Sequence, residues 1–133
     1  MPFDPKTLSY AATHEWVHIE SEAGKKIATV GLSDFALKAL TDLVHIELPQ
    51  IGRQVKAGNP LGEVESVKAV SDLYSPVDGE IVAVNTPLIE NLETLDKDPY
   101  GAGWLVKIRV TDESGLAKLL SYPAYQEQCE HEA

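Results

Sequence analysis

Gly62-Glu63-Val64-Glu65-Ser66-Val67-Lys68-Ala69-Val70-Ser71-Asp72-Leu73-Tyr74-Ser75-Pro76-Val77-Asp78-Gly79-Glu80-Ile81 is the stretch from which the fold of this chain is read. Two strand-like halves, Leu61 to Ser66 and Val70 to Tyr74, flank Lys68, whose neighbours Val67 and Ala69 are apolar and small. Polar and apolar residues alternating with a period of two predict strands with one wet and one buried face. The turn formers Pro76 to Gly79 close the second half, and a further strand is expected over Glu80 to Val84. Lys68 lies ten residues after Gly58 and eleven before Gly79, and each glycine adjoins a turn leading into an apolar strand. A pair of hairpins related in this way places Lys68 at a tip. There a lysine is exposed, within reach of another protein's active site, and able to carry a covalent group on a flexible stem. Most surface lysines are plain solvated turn residues, and spacing alone does not exclude that reading.

Working outward, the same alternation recurs. In Leu43 to Leu48, the residues Val44, Ile46 and Leu48 are expected to point inward and His45 and Glu47 outward, with Pro49 ending the run. In Trp104 to Val110, the expected inner row is Trp104, Val106, Ile108 and Val110. Glu15 to Glu20 and Lys26 to Val30 read as two more strands. Helices are expected to be short: Ser33 capping Asp34 to Leu40, a turn or two within Pro87 to Thr94, Ser114 to Leu120, and a last acidic helix opened by Pro123. Many short strands with frequent turns indicate a mainly β fold, a flattened barrel or sandwich of two antiparallel sheets with short peripheral and C-terminal helices.

The chain has 133 residues, which suits one domain spanning 1–133. Eleven Lys and Arg against 21 Asp and Glu give a net charge of −10, so a phosphate backbone is repelled and nucleic acid is not an expected partner. An acidic surface suits transient docking to basic patches on other proteins. A single cysteine, Cys129, allows no intrachain disulfide and no thiolate zinc site. Apolar runs are too short for a membrane span, and the N-terminal residues lack the features of a secretory signal or an organelle presequence; the expectation is a cytoplasmic protein without membrane attachment. No phosphate loop, dinucleotide loop or nucleophile elbow occurs. His14 and His18 share a four-residue spacing but fall in an expected strand, so neither they nor the other two histidines, His45 and His131, make a metal site. No catalytic constellation stands out.

Beyond these local readings, Glu65-Ser66-Val67-Lys68-Ala69 with Ser71-Asp72, Ser75-Pro76 and Gly79-Glu80 resembles the lipoyl-attachment segment of the H-protein family of the glycine cleavage system. Tyr10-Ala11-Ala12-Thr13-His14-Glu15-Trp16-Val17 resembles that family's opening strand, and Val30 to Ala36 its first helix. Val44 to Pro49 and Asp98 to Leu105, which contains Asp98-Pro99-Tyr100-Gly101-Ala102-Gly103-Trp104, match later motifs in the same order. The resemblance covers roughly Leu8 to Tyr125. Biotin carriers share the fold type but flank their lysine with methionines, which Val67 and Ala69 are not.

The resemblance implies a lipoyl-carrier domain whose attachment hairpin spans about 61–75 and which bears lipoate on Lys68. It implies a shuttle without an active site of its own. The arm would take an aminomethyl group from glycine decarboxylase, a pyridoxal-phosphate enzyme, and deliver it to a tetrahydrofolate-dependent aminomethyltransferase. Dihydrolipoyl dehydrogenase would then reoxidise it. Glu65, three residues before the lysine, would help the lipoylating enzyme recognise the hairpin, and Glu63 joins it on the same strand. Thr13, Glu15 and Asp72 would contact the loaded arm, the two carboxylates holding a protonated amine. Tyr100 and Trp104 are expected to be structural, a turn-anchoring ring and a core plug. A monomer is expected. Lipoate relay to another pathway, or an interaction module of the same fold that never carries lipoate, remains open at this point.

Overall fold

Alternation of the kind seen around Lys68 becomes two antiparallel sheets. The computed structural model describes residues 3–40 and 42–132. A 3₁₀ turn at Pro5–Thr7 precedes β1 (Ser9–Tyr10), β2 (Glu15–Glu22) and β3 (Lys25–Leu32), and α1 (Asp34–Leu40) follows. Then come β4 (Leu43–Glu47), β5 (Gln54–Val55), β6 (Pro60–Ser66), β7 (Val70–Tyr74) and β8 (Asp78–Val84). A 3₁₀ turn at Thr86–Ile89, α2 (Glu93–Lys97), β9 (Val106–Asp112), a 3₁₀ turn at Glu113–Lys118 and α3 (Tyr122–Glu132) complete the order. The larger sheet runs β1-β2-β3-β9-β8-β5 and the smaller β4-β6-β7, which is the mainly β, two-sheet architecture the patterning predicts.

The inner faces enclose one apolar core, with Val30, Ile81, Leu105, Val106 and Ile108 fully buried from the larger sheet and its flanks and Ile46, Leu61, Val64 and Leu73 from the smaller. A second cluster forms on the outer face of the larger sheet, where Leu8, Tyr10 and Trp16 meet Tyr125 and Cys129 of α3. Tyr125 and Cys129 are four residues apart, so one face of that helix supplies both. Trp16 donates its indole N–H to the Pro99 carbonyl at 3.0 Å and covers Gly31, the residue opposite it on β3. A Cβ at Gly31 would lie 2.4 Å from the Trp16 ring, so only glycine fits there.

Four local expectations are corrected. Val44 is 51% exposed because the β4–β6 register shifts between Leu43 and His45; Leu43 turns toward the core instead. Trp104 precedes β9 and packs half-buried on the second cluster, so it is not a plug of the main core, a place taken by Leu105. Lys107 stands over the Trp104 ring at 5.4 Å. His14 lies before β2 in a left-handed conformation (φ 81°), not in the strand with His18. The turn or two of helix expected within Pro87 to Thr94 is a 3₁₀ turn at Thr86–Ile89 followed by α2, which runs beyond that span to Lys97.

Candidate functional site

Lys68 occupies the turn between β6 and β7, exposed, between Val67 (69% exposed) and Val70 (58% exposed) on one tip. The turn is closed by the Ser66 N–H donating to the Ala69 carbonyl at 2.8 Å. The Ser66 hydroxyl accepts from the Ala69 N–H at 3.2 Å and reaches the Ala69 carbonyl at 3.3 Å. Val67 donates its N–H to the Asp42 carbonyl at 3.1 Å, which ties the tip to the lead into β4. The backbone is therefore held while the lysine stem projects freely. No hydrogen bond or ion pair engages Lys68 among the described residues.

Behind the tip lies a cleft of about 310 Å³. One wall is the lead into β2, with Thr13, His14 and Glu15; a second is α1, with Phe35, Ala36 and Leu40; the third is the hairpin, with Val64, Ser71, Asp72 and Leu73. Ser33 caps α1, accepting from the Ala36 N–H at 3.2 Å, as its place in the sequence predicts. The structure thus brings Thr13, Glu15 and Asp72 to a single cleft, although the first two lie far from the third in the chain. Asp72 is four residues beyond Lys68, on β7.

The three differ in setting. Glu15 is 1% exposed. One carboxylate oxygen accepts from the Thr13 hydroxyl and the other from the Tyr74 N–H at 3.3 Å. Burial pushes its carboxyl from the ordinary 4.5 up to about 7, and the two hydrogen bonds only partly restrain that rise. A carboxyl so placed exchanges its proton near neutrality and gains from any cation that enters. Asp72 is exposed and pairs across the hairpin with Glu63, so it stands at the rim. Ser71, pairing with Val64, faces the interior instead. Glu63 is half-buried between Glu47 and Asp72, while Glu65 is exposed between His45 and Val70. Together they make the outer face of the hairpin strongly acidic.

Several site residues escape a reading of the sequence. His14 offers its Nδ1 to the Tyr125 hydroxyl at 2.7 Å, and Ser33 Oγ meets the same hydroxyl at 2.5 Å. Only Ser33, as the cap of α1, carried a local signal. Tyr100, expected as a turn anchor, donates to Asp34 at 3.0 Å and so ties the Asp98 to Trp104 turn to the start of α1. A larger depression of about 630 Å³ lies against Leu48, Gln50 and Arg53, at the end of the hairpin away from Lys68. Arg53 there is engaged with the Pro60 and Leu61 carbonyls at 3.0 and 3.3 Å. No group of His, Cys, Asp and Glu suited to a metal ion occurs among the described residues.

Comparison with known proteins bears on this geometry. The sequence model of the family described as Glycine cleavage H-protein matches residues 8–132. The chain is 50% identical over 129 residues to a glycine cleavage system H protein of Rhodopirellula baltica, covering 97% of both chains. It is 46% identical over 127 residues to one of Thermotoga maritima, covering 96% of this chain and 99% of that one. A crystal structure of a glycine cleavage system H protein from Mycobacterium marinum superposes with a TM-score of 0.84 at 42% identity, over 94% of this chain and 98% of that one.

Proposed function

The chain belongs to the glycine cleavage H-protein family, and from that premise we propose that Lys68 is the residue through which it carries lipoate. The protein is a lipoyl-carrying shuttle of glycine cleavage, a carrier component and not itself an enzyme. The observation that carries the assignment of Lys68 is its place: an exposed, unengaged amine on a braced hairpin tip beside a cleft containing a buried carboxyl. Amide formation needs such an amine, presented on a rigid base and reachable from outside. The flanking Val67 and Ala69 leave it uncrowded, and Glu65 on β6 offers a lipoylating enzyme an anionic handle.

Bound lipoate supplies a dithiolane that takes up and releases the one-carbon cargo by thiol chemistry. The chain's own residues do the rest. Phe35, Ala36, Leu40, Val64 and Leu73 line the cleft with apolar surface that excludes water. Glu15, its carboxyl pushed up to about 7 by burial, accepts a hydrogen bond from a protonated cargo amine, which favours its ionised form. Thr13 orients that carboxylate, and Asp72 at the rim adds a second negative charge as the amine passes. Three proteins would read this surface in turn: glycine decarboxylase, the tetrahydrofolate-dependent aminomethyltransferase and dihydrolipoyl dehydrogenase. A net charge of −10 favours reversible capture by basic active-site mouths in a cytoplasmic setting, and one tether serves all three at high effective concentration.

The test is the intact mass of protein produced with lipoate and a lipoylating enzyme, followed by peptide mapping. One lipoyl increment on Lys68, lost in Lys68→Arg, is expected, together with glycine-dependent carbon dioxide exchange by glycine decarboxylase. No increment under conditions that modify a control lipoyl domain would overturn the assignment.

A further inference from the structure

A buried hydroxyl behind the cleft meets two of its walls. Tyr125 of α3 is 2% exposed, its ring lying flat on Tyr10 with centroids 4.3 Å apart. A phenylalanine would provide that stacking equally. The hydroxyl, however, lies 2.5 Å from Ser33 Oγ, the cap of α1, and 2.7 Å from His14 Nδ1, on the lead into β2. Burying a hydroxyl is favourable only where it is bonded, and here its bonds go to the two elements that face each other across the cleft.

His14 shows why such a tie is needed. Its backbone is left-handed, a conformation costly for a residue with a Cβ and kept only where the surroundings over-determine it. The surroundings do so here. The His14 carbonyl accepts from the Ser33 N–H at 3.0 Å, its N–H donates to the Ala11 carbonyl at 2.9 Å, and its ring stacks on Phe35 at 5.1 Å. Since Glu15 follows directly, this twist is what turns the Glu15 carboxyl into the cleft. One proton assignment satisfies the network: Ser33 donates to Tyr125 while accepting from Ala36, and Tyr125 donates to His14 Nδ1.

We propose that Tyr125 is a positioning residue of this cleft: its hydroxyl latches α3 to both walls, at Ser33 and at His14, and so keeps the space around Glu15 closed to water. The inference rests on the reading of the cleft as the shelter for the cargo amine. The C-terminal helix is thereby a brace for the site, acting from 92 and 111 residues away along the chain.

Tyr125→Phe tests it, because the ring and its stacking remain. In the unmodified protein, hydrogen exchange of the Ser33, Ala36 and Leu37 amides is expected to quicken about five-fold, the worth of one net hydrogen bond. Exchange at Ile81 and Ile108 in β8 and β9 should be unchanged. In the lipoylated, glycine-loaded protein, release of ammonia and formaldehyde, with one water consumed and the dithiol regenerated, should quicken by a similar factor at unaltered lipoylation of Lys68. His14→Asn, which tolerates the left-handed backbone, should reproduce the effect, and the two changes together should be no worse than either alone. Wild-type exchange and release in Tyr125→Phe would overturn the latch, as would general loosening that includes Ile81 and Ile108. Faster exchange with unchanged release would show a tie that does not seal the cleft, and refutes the positioning role. If the wild-type protein releases its cargo as fast as free dihydrolipoamide does, the sheltering reading itself fails, whatever the exchange of the variant.

Discussion

Replacing Glu15 by Gln should stabilise the protein at alkaline pH and leave its stability unchanged in acid. In the folded state burial holds the Glu15 carboxyl at about 7, against an ordinary 4.5. Between those values the folded protein binds more proton than the unfolded chain, so its stability falls as pH rises through that window. Below it both states are protonated and nothing is lost; above it the full penalty is present. At ~1.36 kcal/mol for each tenfold change in proton affinity, the penalty amounts to about 3 kcal/mol. Gln reproduces the protonated acid: its carbonyl can accept from the Tyr74 N–H while its amide donates to the Thr13 hydroxyl, preserving both contacts. Urea unfolding of the unlipoylated proteins, followed by fluorescence of Trp16 and Trp104, gives the difference directly, since all other titrating groups cancel between the two chains. The difference should be near zero at pH 4 and rise to about 3 kcal/mol in favour of the variant by pH 8. A difference independent of pH, or a wild-type protein that is the more stable at pH 8, would refute the reasoning. The gain should come at the expense of function, because the variant lacks the carboxylate proposed to receive the cargo amine.

Other consequences follow from single contacts. Gly31→Ala places a methyl within the Trp16 ring and should cost about 2 kcal/mol, read as a fall in Tm. Ser66→Ala removes the side-chain closure of the hairpin turn; exchange at the Ala69 amide should quicken by the equivalent of about 1 kcal/mol, with slower lipoylation of Lys68 in a timed reaction. Arg109→Met breaks the partly exposed ion pair with Glu80 and should cost less than about 1 kcal/mol, a loss that shrinks further in high salt when followed by urea titration.

The parts of the fold legible beforehand are those with local causes. The period-two patterns along β6, β7, β8 and β9 and the serine cap of α1 are written within a few residues, and the strands and helix appear close to their expected positions. What local pattern missed is equally physical. Strands β1 and β5 have two residues each, too short for any periodicity, and exist because β2 and β8 present edges to them. Val44 obeys the alternation on paper, but a register shift against β6 turns it outward, and such a shift belongs to the pair of strands and not to either sequence.

For the site, the sequence by itself singled out Lys68 as the proposed lipoate carrier: small neighbours, a strand on either side and a recognisable family pattern are all encoded within Glu65 to Gly79. It also named Thr13, Glu15 and Asp72, but only through resemblance. Tertiary structure alone decided that Glu15 is buried while Asp72 stays at the rim, which sets one carboxyl near neutrality and leaves the other in solvent. It alone decided that a tyrosine near the end of the chain meets Ser33 and His14. Turn chemistry and strand alternation act over a few residues, whereas desolvation and a shared hydrogen bond depend on what the whole chain brings to one point.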